Sequence, residues 1–248
     1  MKVNYLLKGE MLMSSDKAML YILDFKTGDV TGDEVIDYIY ILGEKPYENS
    51  PFRDNIIIRV IDGKTGKIIT VRPKINSGYN PTLFLGDFTG DKVSDVLLSI
   101  DSGGSGAIGY YYIYSFSNDV PKKIFDFEEF NNRFVYDVNY LDNYKAEVIS
   151  KENNKRYVID LTFKGQEYLS EIYNKDGTLK EPIQGWVDPL SGLYPIDFQR
   201  DGVYELYGIQ AIAGRYHADG LGRVQTSLEW KEDGFKVFFQ TVGIFGEG

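Results

Sequence analysis

The sequence predicts an all-β fold and, within that class, a β-propeller of about four four-stranded blades. Composition points to the class: Tyr occurs 20 times and Phe 15, against 26 Gly and 8 Pro, a balance that suits pleated strands and turns rather than helices. A repeat points to the architecture. Residues 29–37 (DVTGDEVID) match residues 87–95 (DFTGDKVSD) at six of nine positions, residues 197–205 (DFQRDGVYE) keep the acidic pattern, and a faded copy starts at Asp137 (DVNYLDNYKAEV). Successive copies begin 58, 50 and 60 residues apart, and a unit of that size holds about four short strands, the content of one propeller blade.

Each unit reads as an apolar run, an acidic loop, a second apolar run and a hairpin, with units starting near residues 20, 82, 133 and 193. The first consists of YILDF, the loop, VIDYIYILG and NIIIRVIDGKTGKIITVRP, in which DGKTGK is a turn between two β-branched runs. The second holds TLFLGDF, SDVLLSID, GYYYIYSF and KKIFDF; the third FVYDVNY, AEVIS, RYVIDLT and EYLSEIY. In the fourth, LYPIDF, YELYGIQAIA, RVQTSLEW and FKVFFQTV follow one another, the last pair joined by KEDG. The leading KVNYLLKGEML is spare, and is expected to close the ring by pairing with a terminal blade so that no strand edge stays bare. That strand and the faded third unit leave room for a count of five blades. Only short stretches look helical, such as DFEEFNNRF around Glu128. No linker or low-complexity tract interrupts residues 1–248, which read as one domain.

Three carboxylates at near-alternating positions of a tight loop repel one another unless a cation or solvent compensates. The pattern D-x-T-G-D-x-V-x-D followed by an apolar strand resembles the calcium loops of FG-GAP and VCBS-type β-propeller repeats, modules of integrin-like heads and of many bacterial surface proteins. That resemblance implies a propeller, calcium in the loops, and binding or adhesion rather than chemistry. Calcium takes six to eight oxygens at roughly 2.3–2.6 Å, and oxygens at positions 1, 3, 5, 7 and 9 of a loop can wrap one ion. The candidate ligands are Asp29, Thr31, Asp33, the Val35 carbonyl and Asp37; Asp87, Thr89, Asp91, the Val93 carbonyl and Asp95; and Asp197, Gln199, Asp201, the Val203 carbonyl and Glu205. Gly32 and Gly90 permit the bend. The loops are not EF-hands, because position 12 is Tyr40 in the first and Leu98 in the second. They also depart from the propeller family: Thr stands at position 3, and Glu34 and Lys92 stand where Gly202 keeps the family residue. In the faded copy Leu141 falls at position 5 and Lys145 at position 9, which suits no cation. The competing explanation is a set of Asx-type turns, in which Asp and Thr side chains cap backbone amides.

Charge and composition close other doors. Lys plus Arg total 27 against 37 for Asp plus Glu, a net −10 that argues against a nucleic-acid partner, since nothing replaces the condensed counterions. The absence of cysteine removes thiolate, disulfide and iron–sulfur chemistry, and a single histidine, His217, removes multi-histidine metal centres. No segment reaches membrane-spanning length, so no membrane insertion is expected. The amino end has no apolar stretch long enough for a signal-peptide core. The expected location is therefore cytoplasmic or spore-associated, or extracellular if a leader has been removed.

An enzyme remains the rival reading: a glycan-acting propeller, or a serine hydrolase using Ser102 or Ser105 of the DSGGSG loop. A serine nucleophile needs a histidine base and an orienting carboxylate, and only His217, with Asp219 nearby in sequence, offers them. Trp186 in GWVDPLSG and the Tyr110–Tyr112 run are candidate aromatic platforms, although alternate strand residues face opposite sides. Trp230 before the KEDG turn reads as core. Adjacent Glu128 and Glu129 do not give opposed carboxylates across a sugar bond. The expectation is a non-catalytic calcium-binding scaffold or interaction module for a protein or glycan partner, such as a bacterial surface or spore component.

Overall fold

Apolar runs become buried strands, as their periodicity requires. The structure, a computed structural model, describes residues 11–13, 19–104 and 106–246. The first repeat forms a five-stranded antiparallel sheet, β1 (Met11–Met13), β2 (Met19–Gly28), β3 (Asp37–Glu44), β4 (Asp54–Ile61) and β5 (Ile68–Val71), ordered as in the chain. Central β3 is buried on both faces, whereas the edge strand β5 alternates, the difference expected between a covered strand and a half-solvated one. The second repeat forms a four-stranded sheet: β6 (Tyr79–Gly86), β7 (Asp95–Asp101), β8 (Gly109–Ser115) and β9 (Lys122–Asp126).

The remaining elements are α1 (Phe127–Arg133), β10 (Tyr136–Leu141), β11 (Lys145–Ser150), β12 (Lys155–Asp160), α2 (Gly165–Ile172), β13 (Gln184–Ile196), β14 (Glu205–Ala213), β15 (Gly220–Lys231) and β16 (Gly234–Gly243). Their strands build one seven-stranded sheet in the order β12-β11-β10-β13-β14-β15-β16. The third and fourth repeats therefore share a sheet, joined where Val138 pairs with Gly185 and Asn139 with Gln184. Its two edge strands are linked by a side chain, the Tyr157 hydroxyl of β12 donating to the Gln240 carbonyl of β16 at 3.1 Å.

All-β is thus the class, with sheets of five, four and seven strands. A four-stranded sheet of its own is seen for the second repeat alone. One expected strand is a helix: EYLSEIY lies mostly in α2, which buries Leu169 and Ile172, three residues apart. That spacing suits a helix face and not a strand face. The short helix around Glu128 is present as α1. Of the spare amino-terminal segment, Met11 and Leu12 belong to β1, which pairs with β2; residues 2–10 lie outside the described residues.

The chain clusters into two compact units: Met1–Phe127 with Pro195–Glu205 and Glu229–Lys236, and Glu128–Tyr194 with Leu206–Leu228 and Val237–Gly248. In the first, Leu20, Ile22, Tyr40, Leu42 and Ile57 form a buried cluster. In the second, α2 lays Leu169 and Ile172 onto Val138, Val148, Ile159 and Leu221. No helix among the described residues is long and apolar enough to cross a membrane.

Candidate functional site

The three acidic loops share one backbone. Positions 4 and 6 are left-handed in each: Gly32 and Glu34 at φ 81° and 65°, Gly90 and Lys92 at 80° and 69°, Arg200 and Gly202 at 58° and 90°. A side chain in that region costs about 1–2 kcal/mol, so Glu34, Lys92 and Arg200 are held there by something. The position-1 aspartate holds Glu34 and Lys92 directly, and Arg200 through the residues that follow it. Asp29 accepts from the Gly32 and Glu34 amides at 2.7 and 2.9 Å, Asp87 from Gly90 and Lys92 at 2.6 and 2.8 Å, and Asp197 from Asp201 and Gly202 at 3.1 and 3.0 Å.

Positions 5 and 9 work the same way. Asp33, Asp91 and Asp201 accept from the amides of Val35, Val93 and Val203 at 2.9, 2.9 and 3.0 Å. Asp37 takes the Val30 and Thr31 amides at 2.9 and 3.0 Å, Asp95 takes Phe88 at 3.1 Å, and Glu205 takes Phe198 at 2.8 Å. Amide dipoles therefore meet the negative charge, in charge-assisted bonds stronger than neutral ones. Each position-9 acid is buried. Asp37 gains a third amide, from Gly63 in the β4–β5 turn at 2.9 Å, and Glu205 gains the Gln199 side-chain amide at 2.8 Å. Burial pushes Asp95 up to about 7, against the Phe88 amide and the Ser115 hydroxyl that pull it down; Asp91 and Asp87 add to the rise.

The loops also stack in one register. Position 8 of the second loop donates to position 1 of the first, Ser94 N to Asp29 O at 3.2 Å, and position 8 of the third donates to position 1 of the second, Tyr204 N to Asp87 O at 2.8 Å. Position 4 meets position 7 of the next loop: a Cβ on Gly32 would lie 2.9 Å from Val93 Cγ2, and one on Gly90 3.8 Å from Val203 Cγ2. Phe84 and Phe88 pack edge-on or tilted against Tyr204 in the same seam.

The loops gather oxygens without forming a cage of acids. An oxygen that accepts one amide keeps a lone pair, and the position-3 hydroxyls of Thr31 and Thr89 are buried with no hydrogen-bond partner. Yet among the described residues no three acidic or histidine side chains come together closely enough to hold a metal ion. The faded copy is a plain hairpin: Asp137 and Leu141 lie in β10, Lys145 opens β11, and residues 142–144 are the connection.

Ser102 lies in the first unit and His217 in the second; Ser105 is outside the described residues. His217 is exposed, and the carboxylate beside it is Asp188, 3.5 Å from Nδ1, rather than Asp219. Asp219 is instead the centre of a buried cluster: it accepts from Tyr168 and Tyr140 at 2.8 and 3.1 Å and from the Arg215 amide at 2.9 Å, with Lys164 Nζ at 2.8 Å. Burial opposes its charge, but Lys164, the Arg215 amide and Tyr168 prevail and hold it below the usual carboxylate range. Sequence reading missed this cluster because its members are scattered between residues 140 and 219 with no shared motif. Trp186 is half-buried, its Nε1 donating to Asp188 at 2.8 Å. Tyr111 and Tyr112 are core, as a central strand demands. Trp230 packs edge-on against Phe235.

Residues 134–243, the span of the whole seven-stranded sheet, match the family model described as YybI C-terminal domain. The chain is 52% identical over 219 residues to a Bacillus subtilis (strain 168) protein described as uncharacterized protein YybI, covering 88% of this chain and 83% of that relative. No solved structure matches. At that identity and coverage, the chain belongs to the YybI family.

Proposed function

We propose that the protein is a non-catalytic repeat scaffold or interaction module for a protein or glycan partner, whose acidic loops lock successive repeats together in the manner of propeller blades. The observation that carries this is the repeated seam: the same amide-to-carbonyl bond and the same position-4-to-position-7 contact join the first loop to the second and the second to the third. A lock of this kind is a device for rigidity, and rigid presentation of a surface is what a module needs. Thermal melts of Asp29→Ala, Asp87→Ala and Asp197→Ala are the test. Each loses two amide partners or more and is expected to fall by about 1–3 kcal/mol, with the corresponding Asn variants falling less. Turnover on a panel of esters, peptides and glycans that vanishes in Ser102→Ala or His217→Ala would overturn the non-catalytic part.

A second reading places calcium in the first two loops, with Asp29, Thr31, Asp33 and the Val35 carbonyl, and Asp87, Thr89, Asp91 and the Val93 carbonyl, as its oxygens. What favours it is the pair of buried, unpartnered hydroxyls on Thr31 and Thr89, because a polar oxygen buried without a partner costs about 1–3 kcal/mol. Hard cations satisfy such oxygens. Melting with millimolar Ca²⁺ against chelator decides it: an upward shift lost in Thr31→Val and Thr89→Val supports the ion, and coincident melts dismiss it.

A further inference from the structure

We propose that the cleft at the tip of the β10–β11 hairpin binds an acidic saccharide, a sugar bearing a carboxylate or phosphate. This deepens the interaction-module reading and rests on it. The cleft has a volume of about 480 Å³, within the range of small-ligand sites. Tyr144 supplies its accessible aromatic ring, backed edge-on at 4.9 Å by the buried Tyr173; Gln166, Asn174, Lys175 and Lys180 line it with two side-chain amides and two cations. No carboxylate is among the lining residues, although the whole chain carries −10. Apolar ring faces suit the C–H face of a sugar, amides suit its hydroxyls, and paired ammonium groups suit an anion.

A second observation points to the same place. Tyr144 sits at φ 60°, directly after Asn143 at φ 61°, in a hairpin connection where glycine is the undemanding residue. The hairpin turn imposes this conformation, and it fixes where the Tyr144 ring projects. The tip is also strapped down before any ligand arrives: Asn143 N donates to Gly177 O, Leu179 N to Asp142 Oδ1 and Leu161 N to Tyr144 O, each at 2.8 Å. Lys180 Nζ is steadied by the Ser170 carbonyl at 2.6 Å, keeping its charge and two further protons.

Calorimetric titration of the full chain with trigalacturonate, glucose 6-phosphate and neutral maltotriose tests this. Saturable binding of at least one acidic probe is expected, at least about tenfold tighter than maltotriose and weakening with salt; which probe binds separates carboxylate from phosphate. Tyr144→Gly relieves the backbone but removes a ring packed on Tyr173 and the core beneath it, so its melt is expected below that of the parent while the folded variant's affinity drops at least about tenfold. Lys175→Gln, an exposed change that spares the fold, is expected to narrow the gap between acidic and neutral probes. Absence of saturable binding to both acidic probes by a folded chain overturns the inference and leaves the loop-based reading to its own melts. So does a folded Tyr144→Gly variant that binds the acidic probes unchanged. Binding accompanied by cleavage keeps the cleft and discards the non-catalytic reading.

Discussion

At Gly32 and Gly202 the same backbone conformation has different surroundings. A Cβ on Gly32 meets Val93 Cγ2 at 2.9 Å, whereas one on Gly202 meets nothing within 4 Å, although both have positive φ. Gly202→Ala is expected to cost about 1 kcal/mol from backbone strain alone, and Gly32→Ala about 1–2 kcal/mol more from the clash; urea melts compare them. Asp95 carries a pH signature. Folded, it holds its proton up to about 7; unfolded, it releases it near 3.8, so folding takes up a proton between those values and stability falls as pH rises through that window. Asp95→Asn is expected to flatten that fall and to gain about 1–3 kcal/mol at pH 8. Asp219 acts with the opposite sign: its depressed value gives stability present above pH 3.8 and lost as acid protonates it. Lys164→Met is expected to shrink that acid-side loss, read by melts between pH 3 and 6.

Among the elements, those with strict two-residue alternation or β-branched runs were legible from sequence, and the ones that failed did so for a physical reason. EYLSEIY alternates loosely enough to pass for a strand, but Leu169 and Ile172 both reach the core only on a helix. Leu169→Ala is expected to cost about 2–5 kcal/mol as a core cavity, and circular dichroism of that variant checks whether α2 persists. The acidic loops were legible as loops. What spacing cannot reveal is where an oxygen points. Asp37 reaches back to Val30 and Thr31 and across to Gly63, so a residue spaced like a cation ligand also serves as an acceptor for the chain itself. The Asp219 cluster and the Tyr144 cleft depend on residues brought together only by folding.

For the molecule as a whole, each of β13, β14, β15 and β16 carries residues of both compact units. One cooperative transition is therefore expected by calorimetry, with calorimetric and van't Hoff enthalpies in agreement; two resolved transitions would show the units melting separately. The repeat spacing anticipated four quarters, and the chain instead makes sheets of five, four and seven strands, because pairing between Val138 and Gly185 merges the last two quarters. Period reports on repeat length and says nothing about which edges meet.

The threading of the chain has a consequence for its birth on the ribosome. The first unit takes in residues 229–236 and the second residues from 237 on, so each stays incomplete until a segment at least about a hundred residues downstream of its first strands has emerged. At roughly 5–20 residues per second, the early strands wait several seconds with apolar faces uncovered, and slowing translation across residues 195–240 should lengthen the dependence of this protein on holding chaperones.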